Sequence, residues 1–337
     1  MKKWWGWGLL VLVIMTILGW VVISNLNKEI ISPLGMMREI VKKREYKVVA
    51  FLPNWSVNKY EKFPKNIDEI IFWDEGSVKA ASKFRGEKIV GVVQIVNSEK
   101  IDYQAELAKI KAKNVLDGVN IDFEFNDNPL GVLSEEYFDF LKRVREEGVK
   151  KISVDVFVNT IIKGDKESLN KLFEAVDEVI IMAYDFHRPG MDVAGPVAPI
   201  RTPIGERSIW ECVQRINDLD LPRDKIIMAY PLYGYEWKVY SDDYRAQIKR
   251  GWYQVASLKR VKELIKEKGL IERWDEEAAS PWLSFEENGQ LRHIYYDNEK
   301  SLKIKIDLVK QNQFKGVAFW ALGYENSPNL FTLLTND

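Results

Sequence analysis

Residues 116–125 read Leu-Asp-Gly-Val-Asn-Ile-Asp-Phe-Glu-Phe, an apolar strand with polar groups where a buried strand should carry hydrocarbon. Asn120, Asp122 and Glu124 fall at every second position. In a strand they share one face, while Val119, Ile121 and Phe123 share the other. Burying two carboxylates costs several kcal/mol unless they share protons, meet donors or face a ligand. At about 3.3 Å per residue, Asp122 and Glu124 lie roughly 6–7 Å apart, so mutual repulsion is expected to hold a proton on one of them near neutral pH. A carboxyl group kept protonated there can serve as a general acid. A single acid at a strand end more often caps a loop or pairs with arginine; three inward polar groups in one strand argue for an active-site strand.

Strands of the same kind recur on both sides. Short runs rich in Val and Ile occur at Lys47–Pro53, Glu69–Trp73, Lys88–Val96, Val115–Phe123, Lys151–Val158, Glu178–Tyr184, Lys225–Pro231 and Gly316–Ala321. Helical spacing separates them, clearest at Ile101–Lys113, Glu135–Glu147, Lys166–Ala175, Ser208–Leu219 and Glu299–Gln311. Nearly continuous apolar runs suit parallel strands covered on both faces. The alternation predicts an α/β fold, an eight-stranded (β/α) TIM barrel over residues 46–337. A doubly wound open sheet is the rival, but no Gly-x-Gly-x-x-Gly turn follows an early strand to support it. The long stretch between strands seven and eight holds an amphipathic helix, Gln254–Lys268, and two short strands, Trp282–Phe285 and Leu291–Tyr296. It predicts a small α+β insertion over residues 236–298.

The bulk properties exclude several classes. Hydrophobic residues make up 46% of the 337 residues, enough for a large core, and a formal net charge of −1 leaves no electrostatic footprint for nucleic acid. One cysteine cannot form an internal disulfide, and two histidines are poor material for a zinc site, so neither metal nor cofactor is expected. The N-terminus stands apart. Lys2 and Lys3 precede an uncharged run from Trp4 to Ile23, about the length of a membrane-crossing helix, with Trp4, Trp5, Trp7 and Trp20 near its ends. Residues 1–24 are read as a signal anchor and 25–45 as a polar stalk, with the N-terminus cytoplasmic and the domain outside the cell membrane. A cleaved signal is the alternative, although no Ala-x-Ala site follows the run.

In a barrel, side chains at the C-terminal strand ends face the site. Strand four brings Asp122 and Glu124 there, and strand six brings Met182, Tyr184 and Asp185. Strand seven ends with Met228-Ala229-Tyr230-Pro231, and strand eight with Phe319-Trp320. Aromatic faces at such positions suit the apolar faces of sugar rings. His187 follows the Tyr-Asp pair and is read either as a cleft residue or as a loop histidine bonded to backbone.

Asp117-Gly118-Val119-Asn120-Ile121-Asp122-Phe123-Glu124 resembles the Asp-Gly-x-Asp-x-Asp-x-Glu signature of the family-18 glycoside hydrolases, the chitinase family. The resemblance extends to Met-x-Tyr-Asp at 182–185, Pro-x-Tyr-Gly at 231–234 and Gly-Val-Ala-Phe-Trp-Ala-Leu-Gly at 316–323. Asn120 departs from it, replacing the first Asp of the triple. With Ala194-Gly195-Pro196-Val197-Ala198-Pro199 and Tyr295-Tyr296-Asp297, the chain looks most like the branch of spore-cortex-lytic and germination-type N-acetylglucosaminidases.

The resemblance implies retaining, substrate-assisted cleavage of N-acetylglucosamine-containing glycans, peptidoglycan or chitin-like, as an exception to the two-carboxylate scheme. Glu124 is then the acid and base, Asp122 orients the acetamide, and Tyr184 bonds its oxygen. Asp185, Tyr230 and Met182 contact sugar, with Trp320 as the floor. Asn120 can hydrogen-bond but carries no charge. A non-catalytic carbohydrate-binding protein on the same barrel is the other class to weigh.

Overall fold

The computed structural model describes residues 46–62, 64–73, 90–97, 101–112, 117–125, 128–203, 205–325 and 329–335. The predicted anchor and stalk lie outside the described residues; among the described residues no helix is long and apolar enough to cross a membrane. Strands β1 (Lys47–Leu52), β2 (Glu69–Phe72), β3 (Val90–Asn97), β4 (Gly118–Phe123), β5 (Ile152–Phe157), β6 (Glu178–Met182) and β7 (Ile226–Pro231) run parallel around a closed barrel. Gly316–Trp320, the last strand of the chain, closes it between β1 and β7.

Side-chain parity sorts the barrel into an inside and an outside. Val49, Phe51, Ile71, Ile180, Ile227, Ala229 and Ala318 come from five different strands and pack together in one cluster, which only the lumen allows. Their alternates, among them Val48, Ile70, Val119, Ile121, Val179, Met228 and Val317, pack outward beneath the helices. The even-numbered polar residues of β4 therefore point inward, as expected from 116–125. Phe123, on the outward parity, stacks on Phe140 of helix α1 (Glu135–Glu146) with centroids 5.3 Å apart. Burial of one such ring is worth about 2–3 kcal/mol. The start of α1 is fixed by Ser134, whose hydroxyl accepts from the Tyr137 N–H.

The insertion is larger than the two strands and one helix expected. Strands β8 (Tyr233–Val239), β9 (Ile248–Ser257), β10 (Arg273–Asp275), β11 (Ser280–Glu287) and β12 (Gln290–Tyr295) form an antiparallel sheet in the order β10-β11-β12-β8-β9. Helix α2 (Leu258–Lys268) begins later than the expected Gln254, because residues up to Ser257 continue β9. Along β8, Tyr233, Tyr235, Trp237 and Val239 face one apolar cluster with Ala194, Val197, Trp282 and Tyr295. On the opposite parity, buried Glu236 pairs with Arg292 at 2.6 Å and Arg260 at 2.8 Å. With β13 (Gly316–Trp320) the chain returns to the barrel.

Candidate active site

Strand β4 brings Asn120 and Asp122 inward with Glu124 one residue past its end, and its neighbour β5 meets them. The two strands pair with Asn120 opposite Ser153, so the inward residues of β5 are Ser153 and Asp155. Asn120 Nδ2 donates to Asp155 Oδ1 at 2.8 Å and to Ser153 Oγ at 3.0 Å, and all three side chains are buried. The asparagine that departs from the common signature thus grips an acid on the adjacent strand.

That acid governs Asp122. Burial raises the proton affinity of Asp122 well above that of an ordinary carboxyl, the charge of Asp155 adds to it, and Glu124 adds less. The repulsion between Asp122 and Glu124 expected from their spacing is present, but it is secondary. Glu124 is also raised, first by burial and then by Asp185, with Arg188 opposing. The raised proton affinity of these acids therefore comes first from burial and then from acids on β5 and after β6.

Tyr184 lies among four of these acids. Burial and the charges of Asp122, Asp155, Asp185 and Glu124 push its hydroxyl far above the ordinary phenol range, so it stays a neutral donor. Asp185 follows in the left-handed region at φ 59°, a conformation that Asp tolerates better than most residues. Tyr233 Oη donates to Asp185 Oδ1 at 2.5 Å, and Tyr235 Oη reaches the same carboxylate at 3.2 Å. Burial raises the Asp185 carboxyl, and the two phenols and Arg188 pull the other way. The insertion thus clamps a barrel residue through its first strand.

A cavity of about 640 Å³ opens at these strand ends, lined by Glu124, Met182, Tyr184, Asp185, His187 and Arg188, among others. His187 fits both of its expected descriptions. It lines the cavity, its Nδ1 donates to the Pro196 carbonyl at 2.8 Å, and its Nε2 accepts from Arg245 at 2.8 Å. Burial lowers its proton affinity, which suits that tautomer. Gly195 makes room for it, since a Cβ there would come within 2.5 Å of the imidazole.

Trp320 and Tyr230, both expected to contact sugar, are absent from this lining. Trp320 points inward, packs on Phe51 and Trp73 with ring centroids 5.4 Å away from each, and lies with Tyr184 against the lumen cluster. It is outside the lining of the large cavity. Tyr230 is a correction. It is fully buried on the outward parity of β7, and its hydroxyl donates to the Lys305 carbonyl at 3.3 Å. Ala229 and Pro231 take the inward parity, so Tyr233, two residues beyond Pro231, supplies the phenol at the mouth. Ser153 and Asp155 were missed, although they repeat on β5 the alternate-polar pattern of β4. Among the described residues no group of three or more His, Cys, Asp or Glu is arranged to hold a metal ion.

Comparison with known proteins agrees with this arrangement. The chain is 29% identical over 164 residues to a cortical fragment-lytic enzyme of Bacillus anthracis, a match covering 48% of this chain and 35% of that protein. It is 28% identical over 230 residues to an uncharacterized glycosylase, YvbX, of Bacillus subtilis, covering 66% of this chain and 61% of the other. The chain therefore spans between about a third and three fifths of the length of these relatives. Two solved structures share the fold. A family-18 chitinase from Cycas revoluta in complex with (GlcNAc)3 superposes with a TM-score of 0.69 at 17% identity, covering 86% of this chain and 99% of that one. The spore cortex-lytic enzyme SleL of Bacillus cereus superposes at 0.66 with 18% identity, covering 88% and 75%. The family model for glycosyl hydrolases family 18 matches residues 83–325, and the chain belongs to that family.

Proposed function

We propose that the protein is a retaining N-acetylglucosaminidase that cleaves β-1,4 bonds of peptidoglycan or a chitin-like glycan with the help of the substrate's own acetamide. The observation that carries this reading is Glu124: a carboxyl of raised proton affinity facing a sugar-sized cavity, with Asp122 two residues behind it and the Tyr184 hydroxyl among the same acids. The names of the relatives, cortex-lytic enzymes and chitinases, support the substrate class.

In this mechanism Glu124 protonates the glycosidic oxygen as the acetamide oxygen attacks the anomeric carbon. Tyr184, a neutral donor, positions that oxygen. The oxazolinium that forms is positive, and its charge favours an ionised Asp122. As Asp122 ionises, its proton passes to Asp155, the carboxyl coupled to it. It stands in for the acid that β4 lacks at Asn120, and Asn120 holds it in place. Glu124 then deprotonates the water that opens the ring. The uncharged run of 4–23 would hold the domain on the outer face of the cell membrane, near such a glycan.

The purified chain is expected to release new N-acetylglucosamine reducing ends from peptidoglycan or chitin oligomers, as read by mass spectrometry. Glu124→Gln should lower kcat about 10³-fold while oligosaccharide binding persists, because only the transferable proton is removed. Normal turnover by this variant would end the assignment.

A further inference from the structure

Beyond the acids, the wall of the cavity carries three guanidinium groups, those of Arg188, Arg207 and Arg245. Arg245 is already engaged. It donates to Glu206 at 2.7 Å and to His187 Nε2 at 2.8 Å, and its backbone N–H donates to the Tyr295 hydroxyl at 2.8 Å. Arg188 and Arg207 are not. Among the described residues neither side chain has an ion pair or hydrogen bond, and Arg207 Nη1 is buried without a partner.

A buried guanidinium N–H without an acceptor costs about 1–3 kcal/mol, a cost that an arriving acceptor removes. The acids of the wall do not supply that acceptor. Asp185 is bound by Tyr233 and Tyr235, Glu206 by Arg245, and Glu124 is committed to acid catalysis in the reading above. Of the three arginines only Arg245 is paired, so among the described residues the guanidinium charges of Arg188 and Arg207 stand at the wall without an ion pair. A neutral chain of N-acetylglucosamine offers hydroxyl and carbonyl acceptors but no opposing charge. A carboxylate supplies one, and the planar guanidinium matches it in geometry as well as in sign. Arg188 is near enough to act electrostatically on both Glu124 and Asp185, which places the charge beside the cleavage point.

We propose that Arg188 and Arg207 form a carboxylate subsite that selects an N-acetylated glycan with an acidic ring substituent, as in a muramic-type sugar, over a neutral one. The proposal rests on the glycosidase reading above and narrows its substrate. The carboxylate has two possible sources, the O-lactyl acid itself or the acids of a peptide attached to it.

Binding to the full chain carrying Glu124→Gln tests this without relying on turnover. Calorimetric titration would compare an alternating N-acetylglucosamine–muramic oligosaccharide, the same sugar with its lactyl carboxylate reduced to an alcohol, and a peptide-bearing form. The lactyl acid should bind at least tenfold more tightly than its reduced form, and adding Arg207→Gln should bring that ratio to within twofold. Tight binding by the peptide-bearing form alone would assign the anion to the peptide. Equal binding of all forms would overturn the subsite, and so would an Arg207→Gln variant that weakens acid and alcohol alike. If the preference is present and the unsubstituted chain still cleaves none of these glycans, the subsite stands and the glycosidase reading fails.

Discussion

The two ends of the barrel bury acids in opposite company. At the floor, Lys47 lies 2.7 Å from both Glu69 and Glu178, and Lys151 and Lys315 each approach Glu178 to 3.0 Å. Lys151 also touches Glu69. Burial alone would raise Glu178, but Lys47, Lys151 and Lys315 outweigh it and hold the carboxyl at about 2. Three ammonium groups face two carboxylates there, and burial, helped by Lys47, draws Lys151 down to about 7, where losing a proton balances the cluster. At the mouth, Asp122, Asp155, Glu124 and Asp185 meet one another, phenols and the Asn120 amide, and burial drives proton affinity up. Both clusters use the inward parity of parallel strands. The neighbours differ in sign: lysines at the floor offset burial and lower Glu178, while at the mouth neighbouring acids add to burial and raise Asp122 and Glu124.

The floor should yield the largest change in stability and none in catalysis. The Glu178 carboxyl moves from 4.5 to about 2, and at about 1.4 kcal/mol per unit its ion pairs contribute on the order of 3 kcal/mol. Because the folded value is depressed, that stability is present above the unfolded value and is lost as pH falls through about 2. Glu178→Gln should therefore lower the unfolding free energy by about 3 kcal/mol at pH 7 in chemical denaturation, with kcat per folded molecule unchanged. The deficit should narrow as the pH falls towards 2. A variant as stable as the parent would reduce the floor to surface-like pairs.

The mouth should show the reverse pattern with a smaller effect. Asp155→Asn removes a charge that raises Asp122, so folding no longer bears that repulsion at neutral pH. Thermal stability at pH 7 should be no lower than the parent's, while kcat falls about 10²-fold, the low end of what losing one preorganised group costs. Full activity in this variant would leave Asp155 as no more than a partner for Asn120.

The uneven legibility of the two ends has a physical cause. Period-two patterning made the barrel readable, and along β4 and just past it the pattern put Asn120, Asp122 and Glu124 on one inward parity, because a one-residue shift would have put acids against Phe140. The same rule would have found Asp155 and excluded Tyr230 had it been carried along β5 and β7. β8 also alternates, with Tyr233, Tyr235 and Trp237 on one face, but its start overlaps the Pro-x-Tyr-Gly motif, which hides the period. Other contacts were not local. That Asn120 meets Asp155, that Tyr233 meets Asp185 and that Arg245 meets His187 depends on segments 35, 48 and 58 positions apart, which no window along the chain reports.

The smallest expected effect concerns Arg188, a cation that lowers the proton affinity of two acids at the mouth. Glu124 must be protonated to act as an acid, so the alkaline limb of kcat/KM on a neutral N-acetylglucosamine oligomer follows its proton affinity. Burial and Asp185 raise that affinity, and Arg188 lowers it. Arg188→Gln removes only the lowering influence, so the limb should move to higher pH. Arg188 is exposed, and salt screens it: raising ionic strength to about 1 M, where the Debye length is about 3 Å, should shift the parent's limb towards the variant's and leave the variant's nearly in place. A limb that moves to lower pH, or a salt response equal in both proteins, would mean that a group other than Glu124 sets it, and the contrast between a lysine-matched floor and an acid-crowded mouth would lose its catalytic half.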